Sequence, residues 1–509
     1  MDRSRPGGSG ITFGLACGVL VGVLVAMVVV PERQDTTRVV GSGVSAGDGS
    51  DSGAATDGVG SEGLAPDGVA TGGVSNSGSS GAATGTAVGG ATLGGSETVT
   101  AAGSATARGV SASKVRIGIA DPDIRALRSL GPRYDQGDVQ QQIASVVEAW
   151  TREGKLPVNG RDIEFVSRRY QLLVAEEQRS ACVNLVQQDK VFAVVAPYQF
   201  GVGSECVARE QQTPLIVTDE QQDDVYKRAP FLFSIYSAQG RALRNIPHWA
   251  HEEGVFKGKK LGIYYTQKAK ALYDRDFTPH LKKLGYDYTV EATRARPEGG
   301  PEDSLAVQRM KAAGVEIVIV GIDPSEATPA PTSRVGTFPD QAERQDYHPL
   351  YITMPIQLST GDTANSNQNQ AQWNGARSMV YLRHGERGAG LSFEAPTEKC
   401  ISDFERHTGR KFPRTGVAPN AEEASLLQVC DVMNVMLEGL RRAGPALTAQ
   451  SLVSGLESIK GLGMASSAPV SYGPGVHAGV SAYRSWRWDS ECVCGKVVGD
   501  RGWRPFTIP

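Results

Sequence analysis

Residues 191–218 constrain the fold of this chain most strongly, because they read as one strand–helix–strand unit. Residues 191–196 form a short apolar run rich in β-branched side chains, which predicts a strand covered on both faces. A loop follows, with Ser204 as the expected N-cap of a short helix over 205–212. A second buried strand is expected at 215–218. Open α/β sheets bind ligands at the carboxyl ends of parallel strands, so the two loops of this unit predict a small-molecule site.

The same alternation of apolar runs and amphipathic stretches extends over the rest of the chain from about residue 114. Further strands are expected at 115–120, 163–166, 260–265, 286–292, 315–321, 350–354 and 378–382. Further helices are expected at 139–153, 176–188, 238–253, 271–284, 304–313, 397–407, 421–443 and 447–459. A hairpin with Gly-Pro turn signals at 473–475 and an aromatic strand at 483–488 closes the chain. This pattern predicts an α/β protein with two doubly wound lobes.

The N-terminal segment predicts a membrane anchor. Residues 11–30 carry no charge, and at about 1.5 Å per residue they span about 30 Å, the thickness of the hydrocarbon core. Arg3 and Arg5 precede this run, which places residues 1–10 in the cytoplasm and the rest of the chain outside. The competing interpretation is a cleaved signal peptide, although no A-x-A site ends the run. Lipidation at Cys17 is disfavoured, since most of the apolar residues follow it.

Residues 31–113 are expected to form a disordered linker. The segment consists mainly of Gly, Ser, Ala, Thr and Val, and it accounts for much of the total of 61 glycines. Too few large apolar side chains are present to offset the entropy of ordering such a chain. The match of residues 43–47 to the G-x-S-x-G nucleophile pattern has no strand before it and no helix after it, so it is interpreted as chance.

Charge and cysteine content narrow the function further. The net charge of −3 is not the excess of positive charge that is typical of nucleic-acid-binding proteins, so no nucleic-acid partner is expected. Of the 7 cysteines, six follow the predicted anchor, an even number in an oxidising compartment. Cys182 and Cys206 fall on neighbouring predicted helices, as do Cys400 and Cys430, and each pair is expected to form a disulfide. Cys492 and Cys494 remain as a C-x-C pair, so three bridges are expected in all, with the pairing of these last two cysteines left open.

Several stretches resemble the type I periplasmic binding proteins, and most closely the branched-chain amino-acid-binding family of ABC-importer receptors. These stretches are V-R-I-G-I-A with the Gly131-Pro132 loop, A-V-V-A-P, T-P-L-I-V, K-K-L-G-I-Y-Y, A-A-G-V-E-I-V-I-V-G, S-Y-G-P-G-V-H-A-G and Y-R-S-W-R-W-D. The resemblance implies a chain that crosses three times between two lobes and clamps a ligand in the cleft between them. Lobe one would comprise 114–236 and 390–457, and lobe two 237–389 and 458–509.

The resemblance also implies which residues line the cleft. The expected ligand-binding residues are Tyr134, Tyr198, Gln199, Phe200, Asp219, Glu220, Gln221, Thr266, Glu291 and Asp323. Amino-acid binders place hydroxyl groups near the positions that Phe200, Asp219 and Gln221 occupy here. A ligand carboxylate would be repelled by Asp219 and Glu220, so a cationic or polyhydroxylated ligand is favoured. The Pro/Thr-rich stretch 323–340 is expected to be a loop at the rim of the cleft.

No enzymatic motif is evident. His248 and His251 lie three residues apart on a predicted helix, but a solvated helix face explains that spacing better than a metal site. Neither H-E-x-x-H nor a phosphate-binding glycine loop is present, so no enzyme activity, metal or cofactor is expected, and a secreted hydrolase is disfavoured. The sequence predicts a tethered extracytoplasmic receptor that delivers a small polar ligand, such as an amino acid or amide, to separate ABC permease and ATPase chains. The alternative is a sensor ectodomain of the same fold.

Overall fold

The computed structural model describes the main part of the chain after residue 106. The described ranges are 107–124, 135–172, 174–295, 300–321, 337–355, 360–362, 365–416, 421–499 and 502–509. The predicted anchor 11–30, residues 31–106 of the predicted linker, Tyr134, Asp323 and most of the stretch 323–340 lie outside these ranges. Residues 107–113 were expected to belong to the disordered linker, but Val110 is buried and pairs with Val115 of the first strand. No helix within the described ranges is both long enough and apolar enough to cross a membrane.

The first part of the described chain forms a parallel sheet, called sheet one here. Its elements are β1 (Lys114–Pro122), α1 (Val139–Arg152), β2 (Asp162–Tyr170), α2 (Ala175–Val183), β3 (Ala193–Ala196), α3 (Val202–Glu205), β4 (Leu215–Val217), α4 (Asp223–Arg228) and β5 (Leu232–Ser234). The strands pair in parallel in the order β2–β1–β3–β4–β5. Every residue of β3, β4 and β5 is buried, as expected for strands that are covered by helices on both faces.

The second part of the chain forms sheet two. Its elements begin with α5 (Gln239–Glu252), β6 (Leu261–Thr266), α6 (Lys270–Asp276), α7 (Thr278–Lys283), β7 (Tyr288–Arg294), α8 (Pro301–Ala312), β8 (Ile317–Gly321), α9 (Phe338–Arg344), β9 (Leu350–Ile352), α10 (Gln370–Trp373) and β10 (Arg377–Val380). After three further helices, β11 (Ala482–Asp489), β12 (Cys494–Val498) and β13 (Arg504–Pro505) complete the sheet. Its order is β12–β11–β10–β9–β8–β6–β7, with β13 paired to β11. Strands β6 to β10 are parallel, whereas β11 to β13 add antiparallel pairs.

The three intervening helices return to sheet one. They are α11 (Ala395–Thr408), α12 (Ala421–Ala443) and α13 (Ala449–Glu457). Helix α12 packs against α1, β3 and β4, and the Trp150 indole donates a hydrogen bond to the Asn434 side-chain oxygen at 3.0 Å. The apolar stripe of α12 is buried, which confirms its interpretation as a core-facing helix. Because of this return, the chain passes between the two sheets three times in the described part of the molecule.

Several local expectations were wrong. The expected helix 205–212 is the short α3 followed by a π-helical turn, Cys206–Glu210, and the N-cap is Gly201 rather than Ser204. The expected helix 271–284 is divided into α6 and α7 at Phe277. The Gly-Pro signals do form a tight turn, in which Gly473 and Val476 pair antiparallel, but the aromatic strand β11 forms its hairpin with β12 across a second turn. These differences concern short segments whose ends depend on neighbours that are distant in sequence.

Three crossing segments link the two sheets. Crossing one is residues 235–238, crossing two is 381–394, and crossing three is 458–481. Ser234, at the end of β5, pairs with crossing three through two backbone hydrogen bonds of 2.9 Å, to the carbonyl of His477 and from the amide of Gly479. Crossing three in turn donates from the Ala468 amide to the Tyr381 carbonyl at 2.8 Å. The segments therefore lie side by side and satisfy one another's backbone groups.

Asp431 of α12 anchors the middle of this bundle. The carboxylate is almost fully buried and accepts hydrogen bonds from the amides of Ala465 and Ser466, at 2.6 and 2.7 Å, and from the Ser466 hydroxyl at 2.6 Å. Burial raises the pKa of Asp431 to about 6, although these hydrogen bonds act in the opposite direction. One side chain of the sheet-one half thus holds crossing three in place.

The six cysteines of the described chain are joined in three disulfides. Cys182 of α2 bonds to Cys206 at the turn after α3, and Cys400 of α11 bonds to Cys430 of α12. Cys492 bonds to Cys494 across the turn between β11 and β12. The first two bridges tie helices within the sheet-one half, and the third closes the hairpin turn of sheet two.

The buried strand β4 provides a test of the core. Truncating Ile216 to Ala should lower the free energy of unfolding by about 2–5 kcal/mol, because its side chain is fully buried and leaves a cavity. Val202→Ala, at a side chain that is 47% exposed, should change it by less than about 0.5 kcal/mol. Urea unfolding followed by circular dichroism measures both values. Equal effects of the two substitutions would contradict the placement of β4 in the core.

Candidate functional site

The candidate site lies at the edge of sheet one where its parallel strands end. Strand β1 runs into residues 123 and 124, β3 into 197–199 and β4 into 218–221. Because these strands are parallel neighbours, their carboxyl ends share one edge of the sheet. Six of the ten predicted ligand-binding residues lie on the loops after β3 and β4.

Asp219 joins the loops that follow β3 and β4. Its buried carboxylate accepts hydrogen bonds from the Phe200 amide at 3.0 Å, the Ser204 hydroxyl at 2.7 Å and the Gln221 side-chain amide at 3.2 Å. Burial raises the pKa of Asp219 to about 6, against the effect of these donors. Ser204, expected as a helix cap, is instead a donor to this carboxylate. Asp219 therefore fixes the two loops relative to each other at the carboxyl edge of sheet one, called the ligand edge here. Its carboxylate oxygens already accept hydrogen bonds from protein groups.

The three residues that follow Pro197 differ in their access to solvent. Phe200 is fully buried, with its ring centroid 5.0 Å from that of Tyr170. Tyr198 is buried and its hydroxyl contacts the Ser425 hydroxyl of α12. The Gln199 side chain is exposed, while its carbonyl accepts a hydrogen bond from the Tyr170 hydroxyl at 2.9 Å. Of these three side chains, only that of Gln199 is accessible to a ligand in this conformation.

Glu220 reaches from sheet one to the end of sheet two. Its half-buried carboxylate accepts a hydrogen bond of 2.5 Å from the hydroxyl of Tyr381, the first residue of crossing two. Burial, and next the Glu220 carboxylate, raise the pKa of the Tyr381 hydroxyl well above its ordinary value. Gln221 is also half-buried, and its carbonyl accepts from the Gln239 amide at 3.0 Å, at the start of α5. These two residues lie where the two halves of the molecule meet.

Of the predicted residues of sheet two, Thr266 is the last residue of β6, whereas Glu291 lies within a strand. Thr266 is fully buried and its hydroxyl oxygen accepts from the Ala269 amide at 3.2 Å, which closes a turn. Glu291 lies opposite Ile263 in the middle of the edge strand β7, and its carboxylate is exposed to solvent. It pairs with the Lys270 ammonium at 2.9 Å and accepts from the Tyr265 hydroxyl at 2.5 Å. Hydrogen bonds from Tyr265, then Lys270, lower the pKa of Glu291.

A cavity of about 260 Å³, which was not predicted from the sequence, lies at the end of β1. Asp121 is buried at its wall and accepts hydrogen bonds from the Arg169 guanidinium at 3.2 Å and the Gln140 side chain at 3.1 Å. Asp138 caps α1 by accepting from two backbone amides of its first turn. The lining residues are Asp121, Pro122, Asp123, Ile124, Gly137, Asp138, Val139 and Arg169. The D-P-D sequence directly after the first predicted strand was the available signal.

The chemistry of this edge is that of a binding site for a small polar molecule. The cavity walls combine three carboxylates with one guanidinium and three apolar side chains. Within the described residues, no group of three or more His, Cys, Asp or Glu side chains is placed to hold a metal ion. The candidate site therefore comprises the cavity, Gln199, Glu220 and Gln221.

Comparison with known proteins decides the family. A family model described as "Periplasmic binding protein" matches residues 135–492, more than half of the chain. The chain belongs to the periplasmic binding protein family. The resemblance to type I binding proteins of ABC transporters is thereby confirmed. No curated protein matches the sequence.

Solved structures of this family share the fold. A solute-binding protein of an ABC transporter from Rhodopseudomonas palustris HaA2, in complex with p-hydroxybenzoic acid, superposes with a TM-score of 0.56 at 13% identity, covering 78% of this chain and 98% of that one. The leucine-binding protein of Thermotoga maritima MSB8 gives 0.51 at 13% identity, covering 76% and 98%. A substrate-binding protein from Desulfitobacterium hafniense, in complex with Leu, gives 0.53 at 13% identity, covering 77% and 100%. These similarities establish the periplasmic-binding-protein-like fold.

The raised pKa of Asp219 predicts how stability depends on pH. A folded-state pKa of about 6, above the ordinary 3.8, means that the folded protein binds this proton more tightly than the unfolded chain does. The resulting stabilisation is complete below about pH 4 and is lost as the pH rises through 6. Relative to Asp219→Asn, the free energy of unfolding of the wild type should therefore increase by about 1–2 kcal/mol between pH 7.5 and pH 5.

Urea unfolding at pH 5.0, 6.0 and 7.5 measures this difference. Asp162→Asn is the control, since this exposed residue lies at the start of β2, at the opposite edge of sheet one. A constant difference between the wild type and Asp219→Asn over this pH range would show that Asp219 is not titrating in the folded protein.

Proposed function

We propose that this protein is an extracytoplasmic solute-binding protein whose two halves close on a small polar ligand. The observation that carries the proposal is the passage of the chain three times between two α/β sheets through crossings that are hydrogen-bonded to one another. Two α/β halves whose chain connections are gathered in one such bundle are suited to hinge closure. In this proposal lobe one comprises 114–236 and 390–457, and lobe two comprises 237–389 and 458–509.

The ligand in this proposal binds at the carboxyl edge of sheet one. The cavity at the end of β1 receives one end of the ligand, and Gln199, Glu220 and Gln221 contact the remainder. Asp123 and Asp138 favour an ammonium or hydroxyl group, while Arg169 favours a carboxylate or carbonyl oxygen. An amino acid, an amide or a similar small polar molecule carries both kinds of group. Leu and p-hydroxybenzoic acid, which family members bind, are natural probes.

Delivery to an importer and membrane attachment complete the proposal. Residues 11–30 anchor the chain in the membrane, and the linker up to residue 106 holds the binding domain at a distance from it. The bound solute passes to ABC permease and ATPase subunits on separate chains, because the fold described here supplies binding alone. The protein acts as a carrier rather than as an enzyme.

Ligand binding is expected to stabilise the folded protein. A solute at 100 times its Kd should add about 2.7 kcal/mol to the free energy of unfolding and raise the Tm. Differential scanning fluorimetry of the purified chain with leucine, 4-hydroxybenzoate, spermidine and glucose tests this expectation. If no small solute raises the Tm, the binding proposal fails.

Substitution at the cavity tests the location of the site. Asp123→Asn should weaken binding of the stabilising solute about tenfold, equivalent to about 1.4 kcal/mol, because it removes a charge from the cavity wall. Asp162→Asn makes the same chemical change at the opposite edge of sheet one and should leave the Kd unchanged. Isothermal titration calorimetry measures both constants. Equal Kd values for Asp123→Asn and the wild type would place the ligand elsewhere.

Uptake measurements separate delivery from sensing. Cells that lack this chain should accumulate the radiolabelled solute more slowly than cells that carry it. Unchanged uptake, combined with intact binding in vitro, would overturn delivery and favour a sensor role.

A further inference from the structure

The last described segment, residues 502–509, touches the ends of crossings two and three and the helix that follows crossing one. The Trp503 indole donates a hydrogen bond of 3.1 Å to the carboxylate of Glu394, the last residue of crossing two. The Phe506 amide donates at 2.8 Å to the carbonyl of Ser481, the last residue of crossing three. The Phe506 ring centroid lies 5.8 Å from the guanidinium of Arg241, which follows crossing one in the first turn of α5.

Arg241 connects crossing one to crossing three. Its buried guanidinium donates to the Ser237 hydroxyl at 3.3 Å and to the carbonyls of Ala478 and Val480 at 2.7 and 2.5 Å. These donors satisfy backbone oxygens that would otherwise be left without partners inside the bundle. Phe506 covers this guanidinium and so shields the hydrogen bonds from water.

Glu394 connects crossing two to sheet two beneath the same segment. Its carboxylate pairs with Arg383 of crossing two and with Arg484 of β11, each at 2.7 Å. The Arg484 guanidinium lies 3.8 Å from the centroid of the Trp503 indole. The hydrogen bond from Arg383, the leading cause, lowers the pKa of Glu394 to about 2, so the carboxylate is charged at neutral pH. Trp503 thus covers the ion pairs that Glu394 of crossing two makes with Arg383 and Arg484.

Two neighbouring residues of α5 fasten the segment at its far end. The buried Asn245 side chain accepts from the amides of Thr507 and Ile508, at 2.9 and 3.0 Å, and donates to the Ile508 carbonyl at 2.7 Å. Arg244 donates to the Pro509 carbonyl oxygen at 2.8 Å. The same guanidinium pairs with Asp223 of α4, in the sheet-one half, and with Asp276 of α6, in the sheet-two half.

We propose that residues 502–509 form a clasp over the three crossings that restricts the angle between the two lobes. The clasp is bonded to the last residues of crossings two and three and packs on Arg241, which donates to Ser237 of crossing one, so the three segments cannot bend independently while it is docked. Asn245 and Trp503 are positioning residues in this role, because they act on the crossings and have no contact with the ligand edge. The proposal assumes the two-lobe closure proposed above but not a particular ligand.

Distances between the two halves, measured without ligand, test the clasp. Val202, at the start of α3, and Leu305, on α8, are exposed, and both helices follow strands that end at the carboxyl edges of their sheets. Spin labels on Val202→Cys and Leu305→Cys, in a full-length chain with Cys17→Ser to remove the thiol in the predicted anchor, report the separation of the lobes by pulsed EPR. Asn245→Ala and Trp503→Ala should each broaden the distance distribution at least 1.5-fold.

A control separates the clasp from general destabilisation. Met310→Ala empties a buried site under β6, away from the crossings, and should lower the Tm while leaving the wild-type distribution unchanged. Trp503→Phe, which keeps a ring over Arg484, should broaden the distribution less than Trp503→Ala does. If Asn245→Ala and Trp503→Ala lower the Tm but keep the wild-type width, the segment only stabilises the fold and the clasp is overturned. Failure of every solute in the binding screen would refute the proposed function without changing this result.

Discussion

The hydrogen bonding of the three crossings is the constraint on which the rest of this structure depends. Buried apolar side chains of both sheets belong to one continuous cluster that runs through the crossings, and the chain passes between the two halves at three places in the described part of the molecule. The backbone groups of these segments are removed from water, so they must find partners among themselves or in nearby side chains. Ser234 and Tyr381 supply backbone partners, and Asp431 supplies a carboxylate. A small set of hydrogen bonds therefore sets how the two halves are oriented.

Acidic residues at the ligand edge serve two different purposes. Asp219 and Glu220 follow the same strand, yet the first is enclosed by donors from its own lobe and the second accepts a hydrogen bond from Tyr381. Neither carboxylate is freely available to repel or attract a ligand, so the charge preference inferred from these two residues is weakened. The cavity at the end of β1, where Asp123 and Arg169 lie near one another, presents polar groups with more open space around them.

Most strands and long helices were predictable from the sequence. Buried runs such as Ile317–Gly321, and the stripe along α12, carry a periodicity that is independent of their neighbours. The location of the loops after β3 and β4 followed from the same pattern. The roles of the side chains on those loops did not follow, because Phe200 is accessible or buried according to where Tyr170 lies, 30 residues earlier in the chain. Ser204 likewise has a typical capping side chain, but its hydroxyl donates a hydrogen bond to the nearby carboxylate of Asp219 and does not cap the helix.

By itself, the amino-acid sequence determined the α/β class, the order of alternating strands and helices and the membership of a two-lobed family. The reason is that side chains which become buried recur along the chain with the period of the helix or strand that carries them. Only the tertiary structure decided which polar side chains are hydrogen-bonded to other protein groups and which face solvent or the cavity. Those outcomes depend on contacts between residues far apart in the chain, such as Glu220 with Tyr381 and Trp503 with Glu394. Hydrogen-bond partners of this kind are selected by distance in space, which no local pattern encodes.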